Sequence, residues 1–234
     1  MRELPPPLPP ATRTVGQLVA ETIRAYGTHF WAALLLGLPI AAVTQISLGH
    51  GSDAQTLVLF AFSPLVAAAY LRAVRLIHGA SPTITSYVVA VLIFAPVPFL
   101  TRLAILPGVA WLAFIGLAPV AAAVERLPFR AALERGRRLG IADYVHALGS
   151  LAALVIVVVL CELTLIALLR SQGDAGQRIA HLLADLILTP LLYLGGALLY
   201  VDQAARAVRS APDAALHSSV DADTAGRTDP QVES

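Results

Sequence analysis

Apolar positions along this chain come in long blocks of membrane-crossing length, separated by shorter polar segments. A helix needs about 20 mostly apolar residues to cross the hydrocarbon core of a bilayer. Six stretches meet that need: residues 30–48, 57–74, 87–106, 108–124, 144–169 and 181–201. Apolar residues run almost unbroken from Tyr87 to Val124, too far for one crossing, and Pro107-Gly108 is a strong turn signal inside that run. The third and fourth spans are therefore predicted to form a tight hairpin divided there. Outside the spans the pattern changes to a helical period. Thr14-x-x-Gln17 reads as a capping box. Behind it Val15, Leu18, Val19, Thr22, Ile23 and Tyr26 share one face, with Gln17, Glu21, Arg24 and Thr28 opposite. Pro128 opens a second such helix, in which Phe129, Ala132, Leu133 and Gly136 supply the apolar stripe. The predicted class is all-α: a polytopic membrane protein of six transmembrane helices with two interfacial amphipathic helices.

The ends follow a different grammar. Residues 1–13 begin MRELPPPLPP, which cannot form the apolar helix of a secretory signal and is expected to be a disordered, proline-rich arm. Residues 210–234 are rich in Asp, Ser, Ala and Thr without apolar periodicity, and are expected to be a disordered cytoplasmic tail. The membrane domain then covers residues 14–209.

Composition narrows the solvent. Hydrophobic residues make up 57% of the 234 and charged ones 13%, where a water-soluble domain carries about 25% charged residues. That leaves too little polar surface to cover a soluble globule. The single cysteine, Cys161, lies within an apolar run, so no disulfide framework or thiolate metal site is expected. All sixteen basic residues are Arg. With the N-terminus inside, thirteen of the sixteen fall in segments on the cytoplasmic side, leaving Arg102, Arg170 and Arg178 outside. The positive-inside rule therefore puts both termini in the cytoplasm. The Arg-only, Ala- and Leu-rich usage suggests a high-GC organism, and the expected location is a bacterial cytoplasmic membrane.

The chain also echoes itself. Glu21-x-x-Arg24-x-x-Gly27 before the first span matches Glu134-x-x-Arg137-x-x-Gly140 before the fifth. Ser63-Pro64-Leu65 matches Thr189-Pro190-Leu191, and Tyr70-Leu71 matches Tyr200-Val201. Both copies run in the same order, which describes a parallel internal repeat.

Ionisable groups at membrane depth mark functional candidates. Arg102, Glu162 and Asp185 fall at similar heights in the outer third of the bilayer, and His181 lies one turn from Asp185 on the same face. Three readings stand for this cluster. The preferred one is a structural ion pair of Arg102 with Glu162 or Asp185, or simple snorkelling of these groups to the outer interface; the others are an outward-opening substrate or proton site and a carboxylate pair with His as a catalytic group. His181 and Asp185 supply two metal ligands without an apparent third, so no metal and no cofactor is expected. Arg130, Arg135, Arg137 and Arg138 are expected to contact anionic lipid headgroups on the cytoplasmic face. Nucleic acid is not an expected partner, because this cluster abuts a span and lacks interleaved aromatics.

The stretch Pro119, Val124-Glu125, Phe129-Arg130-Ala131-Ala132-Leu133 and Arg135-Gly136-Arg137-Arg138-Leu139-Gly140 resembles one family. It is the membrane domain attached to some bacterial glycerophosphoryl diester phosphodiesterases and also found as free-standing proteins. The amphipathic helix from residue 14 and the Thr189-Pro190 to Tyr200-Val201-Asp202 segment fit as well, so the resemblance spans roughly residues 14–209. It implies six helices and no dependable activity, since catalysis in the enzyme members belongs to a separate soluble barrel of about 250 residues. The expected role is thus a non-enzymatic scaffold or accessory subunit, with an unidentified membrane-protein partner. The alternative is a small solute or lipid transporter with an outward-facing polar site. The orientation has its own test, single-cysteine labelling of His50→Cys and Arg135→Cys in a Cys161→Ala background. Position 50 should react from outside intact cells and position 135 only after permeabilisation; external labelling at 135 overturns the topology.

Overall fold

The computed structural model describes residues 9–225, with side chains through Arg209. Every regular element among them is helical. The chain enters through a short 3-10 turn, Pro10–Thr12, and then α1, Val15–Thr28. The capping box forms as the sequence requires: the Thr14 hydroxyl accepts from the Gln17 N–H at 3.4 Å, and the Thr14 N–H donates to Gln17 Oε1 at 2.8 Å. Leu18 and Thr22 are fully buried, whereas Ile23 is half exposed. Only the centre of the predicted apolar face is therefore covered by protein.

Four helical stretches are long and apolar enough to cross a membrane: Phe30–Ser47, Ile84–Leu103, Ile105–Val124 and Tyr144–Arg209. A pair bent by 56°, Ser52–Ala61 with Ser63–His78, makes a fifth when taken together. The chain has the build of a membrane protein. Most of these stretches are interrupted. The first comprises α2 (Phe30–Leu34), a 3-10 turn and α3 (Leu38–Ser47). The bent pair comprises α4 (Ser52–Ala61) and α5 (Ser63–His78). Then come α6 (Ile84–Phe94) with α7 (Val97–Leu103), and α8 (Ile105–Ile115) with α9 (Ala118–Val124). Pro39, Pro64, Pro98 and Pro119 each occupy the first turn of the helix after a break. There a missing N–H costs nothing, because the first-turn donors have no intrahelical partner.

The same rule corrects the predicted hairpin. The chain divides at Ala104, in extended conformation, and not at Pro107-Gly108. Pro107 is accommodated in the first turn of α8, and Gly108 lets that helix close onto Thr101 of α7. The predicted second span, 57–74, is part of a bent pair that starts at Ser52.

The remaining helices behave differently. Helix α10 (Phe129–Ala142) buries Ala132, Gly136, Leu139 and Gly140. A Cβ at Gly136 would overlap Ala118, and one at Gly140 would overlap the Phe114 carbonyl, so α10 is seated directly on α8 and α9. Phe129, expected in the buried stripe, is exposed. Helix α11 (Tyr144–Leu169) matches its predicted span residue for residue. After a 3-10 turn at Arg170–Gln172 the chain reverses at Gly173, whose φ is +69°, into α12 (Gly173–Ala225). Helices α11 and α12 pack along each other, and α12 also meets α1, α3, α5 and α10. It is the spine of the bundle. Its backbone stays helical to Ala225, where the sequence leads one to expect a disordered tail from Ser210. The rest of that tail and the first eight residues of the arm lie outside the described residues.

Candidate functional site

The bundle core is built largely of small residues, and it leaves space where helices break. One cavity of about 130 Å³ lies among Tyr70 of α5, Phe94 of α6, Leu112 and Gly116 at the end of α8, and Tyr193 and Gly196 of α12. A second, of about 200 Å³, lies among Ile40, Ser63, Val66, Phe94, Thr189 and Tyr193. They share Phe94, Leu192 and Tyr193 on their linings, so the two adjoin there. Tyr70 packs edge-on against both Phe94 and Tyr193, with ring centroids 5.1 and 6.2 Å apart. Its hydroxyl points to the Gly116 carbonyl at 3.4 Å. The Tyr193 hydroxyl is buried without a hydrogen-bond partner. In an apolar surround such a group is costly, of order 1–3 kcal/mol.

The sequence-derived polar cluster comes together only in part. At the end of the bundle opposite α1 and α10, His181 Nδ1 lies 3.2 Å from Glu162 Oε1, joining α12 to α11. Asp185 follows one turn below, with the Thr44 side chain of α3 beside it and one carboxylate oxygen lacking a hydrogen bond. Arg102 does not join them. It forms an ion pair with Asp53 at the start of α4, so the predicted pairing with Glu162 or Asp185 is replaced by a different acidic partner. The physical reason is reach: α7 packs on α4 and α8, away from the α11–α12 hairpin. Among the described residues no three His, Cys, Asp or Glu side chains converge to hold a metal ion.

The Arg cluster on α10 is divided too. Arg135 bonds Glu125 at 2.9 Å and Arg138 pairs with Glu134 one turn away, while Arg130 and Arg137 are exposed and make no ion pair among the described residues. Glu125 also accepts from the Tyr200 hydroxyl at 2.5 Å, which ties the loop before α10 to α12.

The most heavily buried charges are ones that the span pattern does not point to. Arg13, at the end of the proline-rich arm, bonds Asp202 at 2.7 Å, and the carboxylate is fully buried. Arg206 donates to Asp143 and to the Arg13 carbonyl, both at 2.7 Å. Gln203 donates to the Asp143 carbonyl at 3.0 Å, and Asp143 caps α11 through the His146 N–H. The arm, the α10–α11 corner and α12 are thus tied together by charged hydrogen bonds. Arg13 and Asp202 stand 189 residues apart, so no local pattern announces the pair.

Searches against family models, curated proteins and solved structures found no match. The resemblance of residues 14–209 to a phosphodiesterase membrane domain therefore rests on the sequence motifs alone. The buried pair has a direct test in thermal unfolding of the detergent-solubilised protein. Arg13→Met alone should cost about 3–5 kcal/mol, because it strands a buried carboxylate, and Arg13→Met with Asp202→Leu should recover most of that loss. Equal loss in single and double variants would show that the pair is not what holds the arm.

Proposed function

We propose that this chain is a six-span bacterial inner-membrane protein with both termini in the cytoplasm and a non-enzymatic role, the handling of an apolar or amphipathic molecule within the bilayer. The six crossings take the α11–α12 hairpin as two, since α11 alone has 26 residues, about 39 Å at 1.5 Å each, against a hydrocarbon core of about 30 Å. The parallel repeat belongs to the same proposal, with its copies diverged: Pro64 starts a helix after a break, whereas Pro190 lies inside α12. Arg130 and Arg137 would then face anionic lipid headgroups at the cytoplasmic surface.

One observation carries the functional reading: the two adjoining apolar cavities that meet at Phe94, Leu192 and Tyr193. Ligand sites are concave, mostly apolar and furnished with a few polar groups, and the larger cavity has Ser63 and Thr189 on an otherwise largely apolar lining. Broken helices add support, because irregular backbone at membrane depth is tolerated where it is covered by protein or lines a cavity. A scaffold or accessory subunit requires no such clefts, so they favour the transporter-like alternative, with its site in the half-open apolar clefts between the helices and not at the polar cluster.

Photolabelling with an alkyl diazirine probe in proteoliposomes tests this. Peptides containing Phe94 and Tyr193 should be labelled above those containing the exposed residues Val145 and Leu168, and Ser63→Phe should suppress the difference by filling the larger cavity. Uniform labelling of all four peptides, unchanged by Ser63→Phe, would exclude an internal apolar site.

A further inference from the structure

Resting on that reading of the cavities, we propose that their occupant is a glycerophospholipid with an amine-bearing zwitterionic headgroup, its phosphate held by Arg102 and one acyl chain inside the bundle. The apolar space has a polar entrance. A third cavity, of about 290 Å³, is lined by Ser52, Gln55, Thr56, Thr101 and Arg102, and it shares Leu59 and Pro98 with the 200 Å³ cavity. The three spaces follow one another from the end of the bundle to Tyr70 and Gly116. A polar entrance that leads into an apolar interior matches an amphiphile, and matches neither a purely apolar solute nor a small ion.

The charge at the entrance narrows the class. The hydroxyls of Thr56 and Thr101 donate to the helix carbonyls of Ser52 and Val97, and Arg102 is the one cationic donor on the lining, beside the exposed Gln55 amide and the Ser52 hydroxyl. A guanidinium presents a planar fork that fits phosphate oxygens in bidentate fashion. Arg102 is engaged with Asp53, but the Asp53 side chain is 80% exposed and Arg102 is 44% exposed. Neither partner is enclosed by the protein, so a second anion can reach the guanidinium without repacking the bundle. Asp53 then remains beside the head as an unpaired carboxylate. A phosphate that carries an ammonium group satisfies both members of the pair, whereas a purely anionic head leaves Asp53 facing negative charge.

The interior sets the number of chains. The two apolar cavities, at about 200 and 130 Å³, are small beside sites that enclose a drug-sized molecule, which run to about 300–1,000 Å³. One acyl chain enters and the other stays in the bilayer. Tyr193 lines both cavities, so the chain that enters runs along its ring.

Native mass spectrometry of the full chain in mild detergent reads this out. The probe is an equimolar mixture of phosphatidylethanolamine and phosphatidylglycerol with identical chains. One phosphatidylethanolamine should remain per chain, favoured about tenfold, and Arg102→Gln should lower its retention about tenfold, the scale of a lost hydrogen bond to a charged group. Asp53→Asn should abolish the headgroup preference and keep the lipid. Equal retention of the two lipids by the unmodified chain, or retention that Arg102→Gln leaves unchanged, overturns the assignment. The diazirine probe, applied to Arg102→Gln, separates the two claims. Persistent labelling at Phe94 and Tyr193 with headgroup selectivity absent from the unmodified chain refutes the zwitterionic lipid and keeps the apolar site. Uniform labelling in the unmodified chain removes both.

Discussion

In hydrocarbon every backbone N–H and C=O needs a partner within the protein, and that constraint decides where this chain bends. Helices α11 and α12 meet it by remaining unbroken through their apolar lengths. The helices from α2 to α9 are interrupted at residues 35–37, at Phe62, at residues 95–96 and at residues 116–117. Those interruptions are covered from the side. Gly37 sits against the α12 backbone at Asp185 and Leu186, so closely that no Cβ fits. Ser63, Phe94 and Gly116, each at or beside a break, border the half-open apolar clefts. Shortened helices and small residues that approach one another cannot also fill the space between them with side chains, so the breaks and the cavities have one cause.

The long helix α12 converts this irregular half into one body. Small residues along it, Ala180, Ala184, Gly195, Gly196 and Ala197, are buried where other helices cross. Without a hydrophobic drive between helices in lipid, such close contact is what holds them together. At one end the union is reinforced by charge: Asp202 and Arg206 of α12 grip Arg13, Asp143 and the arm's backbone. At the other end the polar contacts are lighter, with His181 on Glu162 and the exposed Arg102–Asp53 pair. The molecule is therefore tied firmly at the α1 and α10 end and loosely where the polar cavity opens. That asymmetry suits a site entered from the loose end.

The apolar blocks and the capping box were legible in the sequence because each depends on near neighbours. Tyr144–Leu169 is an unbroken apolar run, and the structure gives those same residues as α11. Thr14 and Gln17 are three residues apart and cap α1 as a local rule requires. Boundaries near proline misled, since Pro107 is as comfortable in a first helical turn as in a loop, and the extended Ala104 carries no signature. The polar groups were found singly and paired wrongly. Arg102 was singled out as a charge at membrane depth, but Asp53 lay outside the predicted second span and was passed over. An acidic residue two positions after Gly51 is a recognised helix-start feature, and it could have placed α4 earlier. The Arg13–Asp202 pair and the cavities arise only from the packing of distant segments, which periodicity does not encode.

The central claim is that the interior around Tyr193 is a binding space and not a packing imperfection. An experimental structure of the chain in lipid nanodiscs addresses it most directly. The account predicts elongated, chain-shaped density beside Phe94, Leu192 and Tyr193 that continues toward Arg102. If Phe94 and Tyr193 instead close on each other with no density and no space between Ser63 and Thr189, the cavities are not a site and the functional reading fails.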